Sequence, residues 1–149
     1  MMPRLAGMPG ALVHGEFYAS NVVVDRAAGR VCPVDWEMAG IGPALLDVAA
    51  LVSGDWSEHD RRTIASAYLN ATQVEPRPST ERFLDDVDLC RLHHCIQWLG
   101  WSPGWVPPSD HAADWLTTAA DLIDRLPDAR LRSVCFGGRP AAPRAGSSG

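Results

Sequence analysis

Glu16, Asn21 and Asp35 are polar side chains set among apolar ones. The segment runs "HGEFYASNVVVDRAAGRVCPVDWE", His14 to Glu37, and its carboxylates and amide lie beside runs of valine. A positioned carboxylate can take a proton from a reacting hydroxyl. An amide oxygen and a second carboxylate are hard donors. Mg²⁺ binds such groups, one or two carboxylates at a time, together with waters and phosphate oxygens. One possible base and two possible metal-binding oxygens thus fall within a single short segment.

Such groups act only if rigid elements hold them. The apolar "ALV" ends at His14-Gly15 and reads as a strand. "NVVVD" and "RVCPVDW" are β-branched runs around "DRAAGR", a turn-rich connector containing Gly29. This predicts a β-hairpin, Val22–Val24 against Arg30–Val34. Glu16 and Asn21 then lie on the loop between two strands, and Asp35 follows the second hairpin strand. Asp25 belongs to the hairpin turn and is given no chemistry.

From Pro43 the pattern turns helical. Pro43 suits the first turn of a helix through "ALLDVAALV". Ser57 is the expected N-cap of "EHDRRTIASAYLN", and Ser79 or Thr80 that of "ERFLDDVDLCRLHHCIQWLGW". In the latter, Phe83, Val87, Cys90, His94 and Trp98 recur at helical spacing. After the loop "SPGWVPPS", a last amphipathic helix is expected to present Trp115, Leu116, Ala119, Leu122, Ile123 and Leu126 on one face. The Gly/Pro/Ser/Ala-rich stretch at 135–149 reads as a disordered tail. The fold class is α+β, with one domain over residues 1–134 and its helical part at 43–126.

A carboxylate followed five residues later by Asn, then a hairpin and a second carboxylate, is the order found in kinases. There a catalytic loop H-x-D-x-x-x-x-N precedes a metal-binding Asp. His14-Gly15-Glu16-(x4)-Asn21 has that spacing, and Asp35 that position. "VHGEFYASNVVV" and "PVDWEMAGIGPALLDVAAL" together resemble the C-terminal lobe of the aminoglycoside phosphotransferase and choline kinase-like family. The likeness runs from Leu12 to Leu51. It implies a protein-kinase-like C-terminal lobe with a catalytic loop at 14–21 and a metal-binding segment at 34–37. It also implies transfer of phosphate from ATP to a hydroxyl of a small molecule, with Mg²⁺ (or Mn²⁺) bridging the phosphates. By the same resemblance Glu16 stands at the catalytic aspartate's position and Asn21 and Asp35 match the metal ligands. Asp47 matches an aspartate bracing the catalytic loop through its backbone amides, and His14 a buried structural histidine. Nucleotide-binding residues are not identified.

The sequence departs from that family in two ways. Glu16 replaces Asp and reaches one methylene further. All thirteen basic residues are Arg, so no lysine can anchor a phosphate, and only thirteen residues precede His14. The expectation is a C-terminal lobe without its N-terminal lobe, an incomplete chain. The apolar surface left around Leu12, Val13, Val34 and Trp36 would then drive self-association. A second reading is a non-catalytic remnant, a half that binds metal or a partner chain.

Other chemistry is weaker. Cys90, His93 and His94 share one helical turn and could suggest zinc, but no second ligand pair accompanies them, and core packing explains them as well. Glu16 with Asp35 or Glu37 resembles a glycosidase pair, which leaves Asn21 and Asp47 unused. Trp98, Trp101, Trp105 and Trp115 are core residues or walls of an acceptor pocket. Asp85, Asp86, Asp88, Asp110 and Asp114 either attract a cationic acceptor or line solvated helix faces. A net charge of −5 gives no reason to expect nucleic acid or an anionic membrane as partner. No apolar run approaches the roughly 20 residues a bilayer requires. Cys32, Cys90, Cys95 and Cys135 form no C-x-x-C and read as reduced thiols of a cytoplasmic protein.

Overall fold

Two short antiparallel strand pairs sit ahead of four helices in the computed structural model, which describes residues 2–73, 75–101 and 114–126. A one-turn helix α1 (Met2–Ala6) leads into β1 (Gly10–Val13). A single 3₁₀ turn at Ala19–Asn21 then opens the hairpin of β2 (Val22–Asp25) and β3 (Arg30–Pro33). The hairpin register pairs Val22 with Pro33 and Asp25 with Arg30, in agreement with the alternating β-branched runs. Gly29 takes the left-handed conformation its turn needs, at φ 62°.

The second pair was not legible in the sequence. β4 (Gly40–Pro43) returns to β1, pairing Gly10 with Pro43 and Leu12 with Ile41. "GIGP" has little strand propensity of its own, so the pairing with β1 creates it. Pro43 therefore closes a strand and does not open a helix. Helix α2 (Leu45–Leu51) begins two residues later with Ala44 as its cap residue. Proline is tolerated here because it lies at the end of an edge strand.

Helices α3 (Glu58–Ala71), α4 (Thr80–Trp101) and α5 (Trp115–Arg125) follow, each started by a side-chain cap. Ser57 Oγ accepts from the Asp60 amide at 3.1 Å, and Ser79 Oγ from the Arg82 amide at 3.2 Å. Asp114 accepts from the Thr117 amide at 2.9 Å, and hydrogen bonds from Thr117 hold its carboxyl below the usual range. These satisfy donors that a helix start otherwise leaves open.

Two apolar clusters share α2 and α4. Leu5, Ala49, Leu89, Leu92, Leu122 and Ile123 join α1, α2, α4 and α5. Val48, Val52, Ala65, Leu69, Phe83 and Val87 join α2, α3 and α4. Because α4 packs on three helices, it buries far more than the single stripe the periodicity suggested. On α5, Ala119, Leu122, Ile123 and Leu126 are buried, but Leu116 is exposed. Trp115, half-buried, stacks on α4 instead, and the next residue is rotated away from that contact. Val13 is likewise buried where exposure was expected, whereas Leu12, Val34 and Trp36 are exposed. Among the described residues no helix is long and apolar enough to cross a membrane. The tail at 135–149, Cys135, Trp105 and Asp110 lie outside the described residues.

Candidate active site

Asp47, in the first turn of α2, grips the loop that follows β1. Its Oδ2 accepts from the His14 amide at 2.7 Å and its Oδ1 from the Gly15 amide at 3.0 Å. One carboxylate thus satisfies two successive backbone donors, and charge-assisted bonds of this type are about twice as strong as neutral ones. The next residues are fixed from the other side. His14 is buried, and its Nε2–H donates to the Val34 carbonyl at 2.8 Å. Its Nδ1 accepts from the Glu16 amide at 3.4 Å, so one tautomer serves both contacts. The ring also lies 4.6 Å from that of Trp36. His14 therefore ties the first loop to the strand end that carries Asp35.

Gly15 sits at φ 87°, a conformation glycine alone adopts easily. A Cβ there would collide with the Met38 carbonyl oxygen. Glycine is required at this point both for its dihedral and for the close approach of the Met38 backbone.

Between Glu16 and Asn21 the loop folds back on itself. The Glu16 carbonyl accepts from the Tyr18 amide at 2.8 Å and from Asn21 Nδ2 at 3.0 Å. The Tyr18 carbonyl accepts from the Asn21 amide at 2.9 Å. With its NH₂ used to hold the loop, Asn21 has its amide oxygen left to offer a cation. The Asn21 carbonyl in turn accepts from the Val34 amide at 2.9 Å. This extends the β2–β3 ladder by one step and sets Asn21 beside the residue before Asp35. Asp35 is exposed and left-handed at φ 66°, an arrangement that costs an L-residue about 1 kcal/mol or more. Asp and Asn tolerate it best, and such strain gathers at functional sites. Asn21 thus faces Val34, one residue before Asp35, and an amide oxygen and a carboxylate are the donor types that suit a hard cation such as Mg²⁺.

The loop borders a cleft of about 410 Å³. Glu16 and Glu37 line it, with Tyr18, Met38, Trp98 and Trp101 as its apolar and aromatic walls. Trp98 Nε1 donates to the Tyr18 hydroxyl at 2.8 Å, and the Trp98 ring stacks on Trp115 at 5.9 Å and 9°. Burial raises the Tyr18 phenol above its ordinary value, and Glu16 adds to that. Tyr18 and Met38 were missed as site residues. Tyr18 could have been suspected from its place inside the loop, but its partner lies eighty positions along the chain.

Several of the remaining candidates have structural partners. Burial pushes the Cys90 thiol up to about 12 and raises that of Cys95, so neither is poised as a thiolate ligand. His94 bonds the Leu46 carbonyl through Nε2 at 3.0 Å. No group of three or more His, Cys, Asp or Glu that could hold a metal is found among the described residues. Asp86 pairs with Arg4 and Arg82, Asp88 pairs with Arg91, and Asp114 caps α5.

No curated protein and no solved structure was found to match the chain. The pattern of the phosphotransferase enzyme family matches residues 2–84. That stretch runs from α1 into the start of α4 and contains His14, Glu16, Asn21, Asp35 and Asp47. It is more than half of the 149 residues, and the chain belongs to the phosphotransferase enzyme family.

Proposed function

We propose that this chain transfers a phosphoryl group from ATP to a hydroxyl of a small molecule held in the cleft beside Glu16. The observation that carries this reading is the double grip of Asp47 on the His14 and Gly15 amides. A loop held this firmly is what phosphoryl transfer needs, because positioning and electrostatics supply nearly all of the catalysis. Glu16 orients the acceptor hydroxyl and takes its proton as that oxygen bonds to the phosphorus and the bond to the leaving phosphate breaks. Asn21 Oδ1 and the Asp35 carboxylate would hold Mg²⁺. When bound, the ion neutralises charge on the phosphates. His14 and Asp47 keep the loop in register and touch no reacting atom.

The acceptor is expected to rest against Trp98 and Trp101, with Glu37 at the edge of the same cleft. These 149 residues contain no lysine, so another group must anchor the donor phosphates. The chain alone is therefore expected to turn over slowly, and fusing an N-terminal kinase lobe to it should raise the rate.

The test is phosphoryl transfer to a panel of amino sugars, choline-like alcohols and simple sugars, read by mass spectrometry in the fused protein. Glu16→Gln should lower the rate about 10²- to 10⁴-fold, the usual range for general acid–base help. Glu16→Asp should keep most of it. Equal rates for Glu16→Gln and the parent would remove Glu16 from the chemistry. Transfer in neither, with Mn²⁺ binding still abolished by Asp35→Ala, would leave a metal-binding module without catalysis.

A further inference from the structure

A second cleft, of about 180 Å³, opens where α3, α4 and α5 meet the residues after α2. Ser53, Arg61, Arg91, Thr118, Asp121 and Arg125 line it. None of them belongs to the loop at 14–21 or to the Asp35 segment.

Three arginines line this cleft, and only Arg91 has a close ion pair among the described residues. Arg91 is only 7 % exposed. Its Nη1 donates to Asp88 Oδ1 at 2.7 Å, but its Nε is buried with no hydrogen-bond partner among the described residues. A buried donor on a charged group left unmade is costly, but that atom has no exposed surface, so a ligand in the cleft would meet only the outer nitrogens of the guanidinium. Arg61 donates to the carbonyls of Val52 at 3.0 Å and Gly54 at 2.8 Å. Those bonds aim the guanidinium; Arg61 has no ion pair among the described residues, although Glu58 and Asp55 lie near enough to favour its charge. Burial holds its pKa below the ordinary value, and repulsion from Arg91 adds to that. Arg125 reaches Glu58 only at 3.7 Å between two largely exposed side chains, a loose pair.

The lining selects a ligand class. Arginine forks match the oxygens of a tetrahedral oxyanion. Ser53 Oγ already donates to the Ala49 carbonyl at 2.6 Å, which leaves its hydroxyl oxygen to accept. The Asp121 carboxylate can only accept too. The fitting anion therefore carries its own O–H as well as charge, as hydrogen phosphate does and sulfate does not. The volume is large enough for a phosphate group with a few waters.

We propose that this cleft is a binding site for a phosphoryl oxyanion, gripped by Arg61, Arg91 and Arg125, with Asp121 accepting a hydrogen bond from its O–H. The site is separate from the catalytic reading and stands whether or not that reading does.

The experiment titrates inorganic phosphate, glycerol 3-phosphate and sulfate into the full chain by calorimetry at matched ionic strength. Saturable binding of phosphate or of the monoester, tighter than sulfate, is expected, and the tighter of the two names the source. Arg61→Gln should weaken it about 10- to 100-fold, the loss of a charge-assisted hydrogen bond. Asp121→Asn should narrow the gap between phosphate and sulfate. Asp35→Ala, in the other site, should change nothing. If Arg61→Gln does not fold by circular dichroism, Arg125→Gln on its exposed side chain carries the same comparison. The proposal is overturned by the absence of saturable binding. It is equally overturned by unchanged affinity in the arginine variants, or by loss of binding in Asp35→Ala.

Discussion

Leu122 on α5 is fully buried, whereas Ile41 on β4 is 83 % exposed and its partner across the strands, Leu12, is 68 % exposed. The helices bury apolar residues against one another. The two strand pairs, each only two strands wide, leave most of theirs in solvent, Val13 excepted: Val23, Val24 and Val31 on the hairpin are exposed as well. Isolated two-stranded units are marginal in water. These persist because polar contacts hold them to the helical part: Asp47 from α2 grips the end of β1, and His14 links that end to Val34. Loop 14–21 therefore takes its rigidity from α2, while Asp35 rides on an exposed hairpin.

Four experiments would break or sharpen this contrast. The largest effect is expected at the thiols. With Cys90 pushed up to about 12 in the helical core, its thiolate fraction at a given pH falls about 10³-fold below that of an ordinary thiol. Cys32, half-buried on β3, should be alkylated first, and Cys90 only on unfolding, as peptide mapping after a timed iodoacetamide pulse would show. Equal labelling would mean the helices open as readily as the hairpin.

Truncation comes next. Leu122→Ala should lose about 2–5 kcal/mol in urea denaturation, because it leaves a cavity. Ile41→Ala should change stability by less than about 0.5 kcal/mol. Ile41→Ser with Leu12→Ser should also reduce concentration-dependent self-association in sedimentation, if the exposed strip drives it. A parent that stays monomeric on concentration would remove that role from the strip.

Asp47→Ala tests the link between the regions. It leaves the His14 and Gly15 amides without their carboxylate and should lose about 2–3 kcal/mol. Hydrogen exchange should rise in residues 14–21 more than in α5. Uniform exchange throughout would show that α2 does not hold the loop.

The smallest effect is a pH slope. Burial lowers His94 below its usual 6.5, so the unfolded chain binds the proton more readily. The contribution is then complete above pH 6.5 and is lost as pH falls through the lower folded-state value. His94→Gln should flatten the decline of stability between pH 7 and 5, about the range in which an ordinary histidine titrates. An unchanged slope would assign it to the carboxylates.

Much of the site was legible because its information is local. His14, Glu16 and Asn21 are neighbours in sequence, and the hairpin that returns the chain to Asp35 is specified by β-branched runs around a turn. The caps at Ser57 and Ser79 are equally local, since a hydroxyl and an amide three residues apart meet in any helix. Asp47 was named by resemblance alone; nothing in its spacing says that it reaches back thirty-three positions to His14. Pro43 misled because proline suits both a helix start and the end of an edge strand, and only the pairing with β1 decides between them.

By itself, then, the sequence determined which groups could do chemistry, the loop and hairpin that carry them, and the helices α3 and α4 with their caps, but neither α1 nor the start of α2. These depend on dihedral preferences and on contacts within a few residues. Tertiary structure alone decided that β1 pairs with β4, that Tyr18 meets Trp98, that Leu116 faces solvent, and that Arg61, Arg91 and Arg125 line one cleft. Each follows from contacts between side chains or strands far apart along the chain. Its energy depends on which neighbours the packed helices bring near, and no local pattern encodes that.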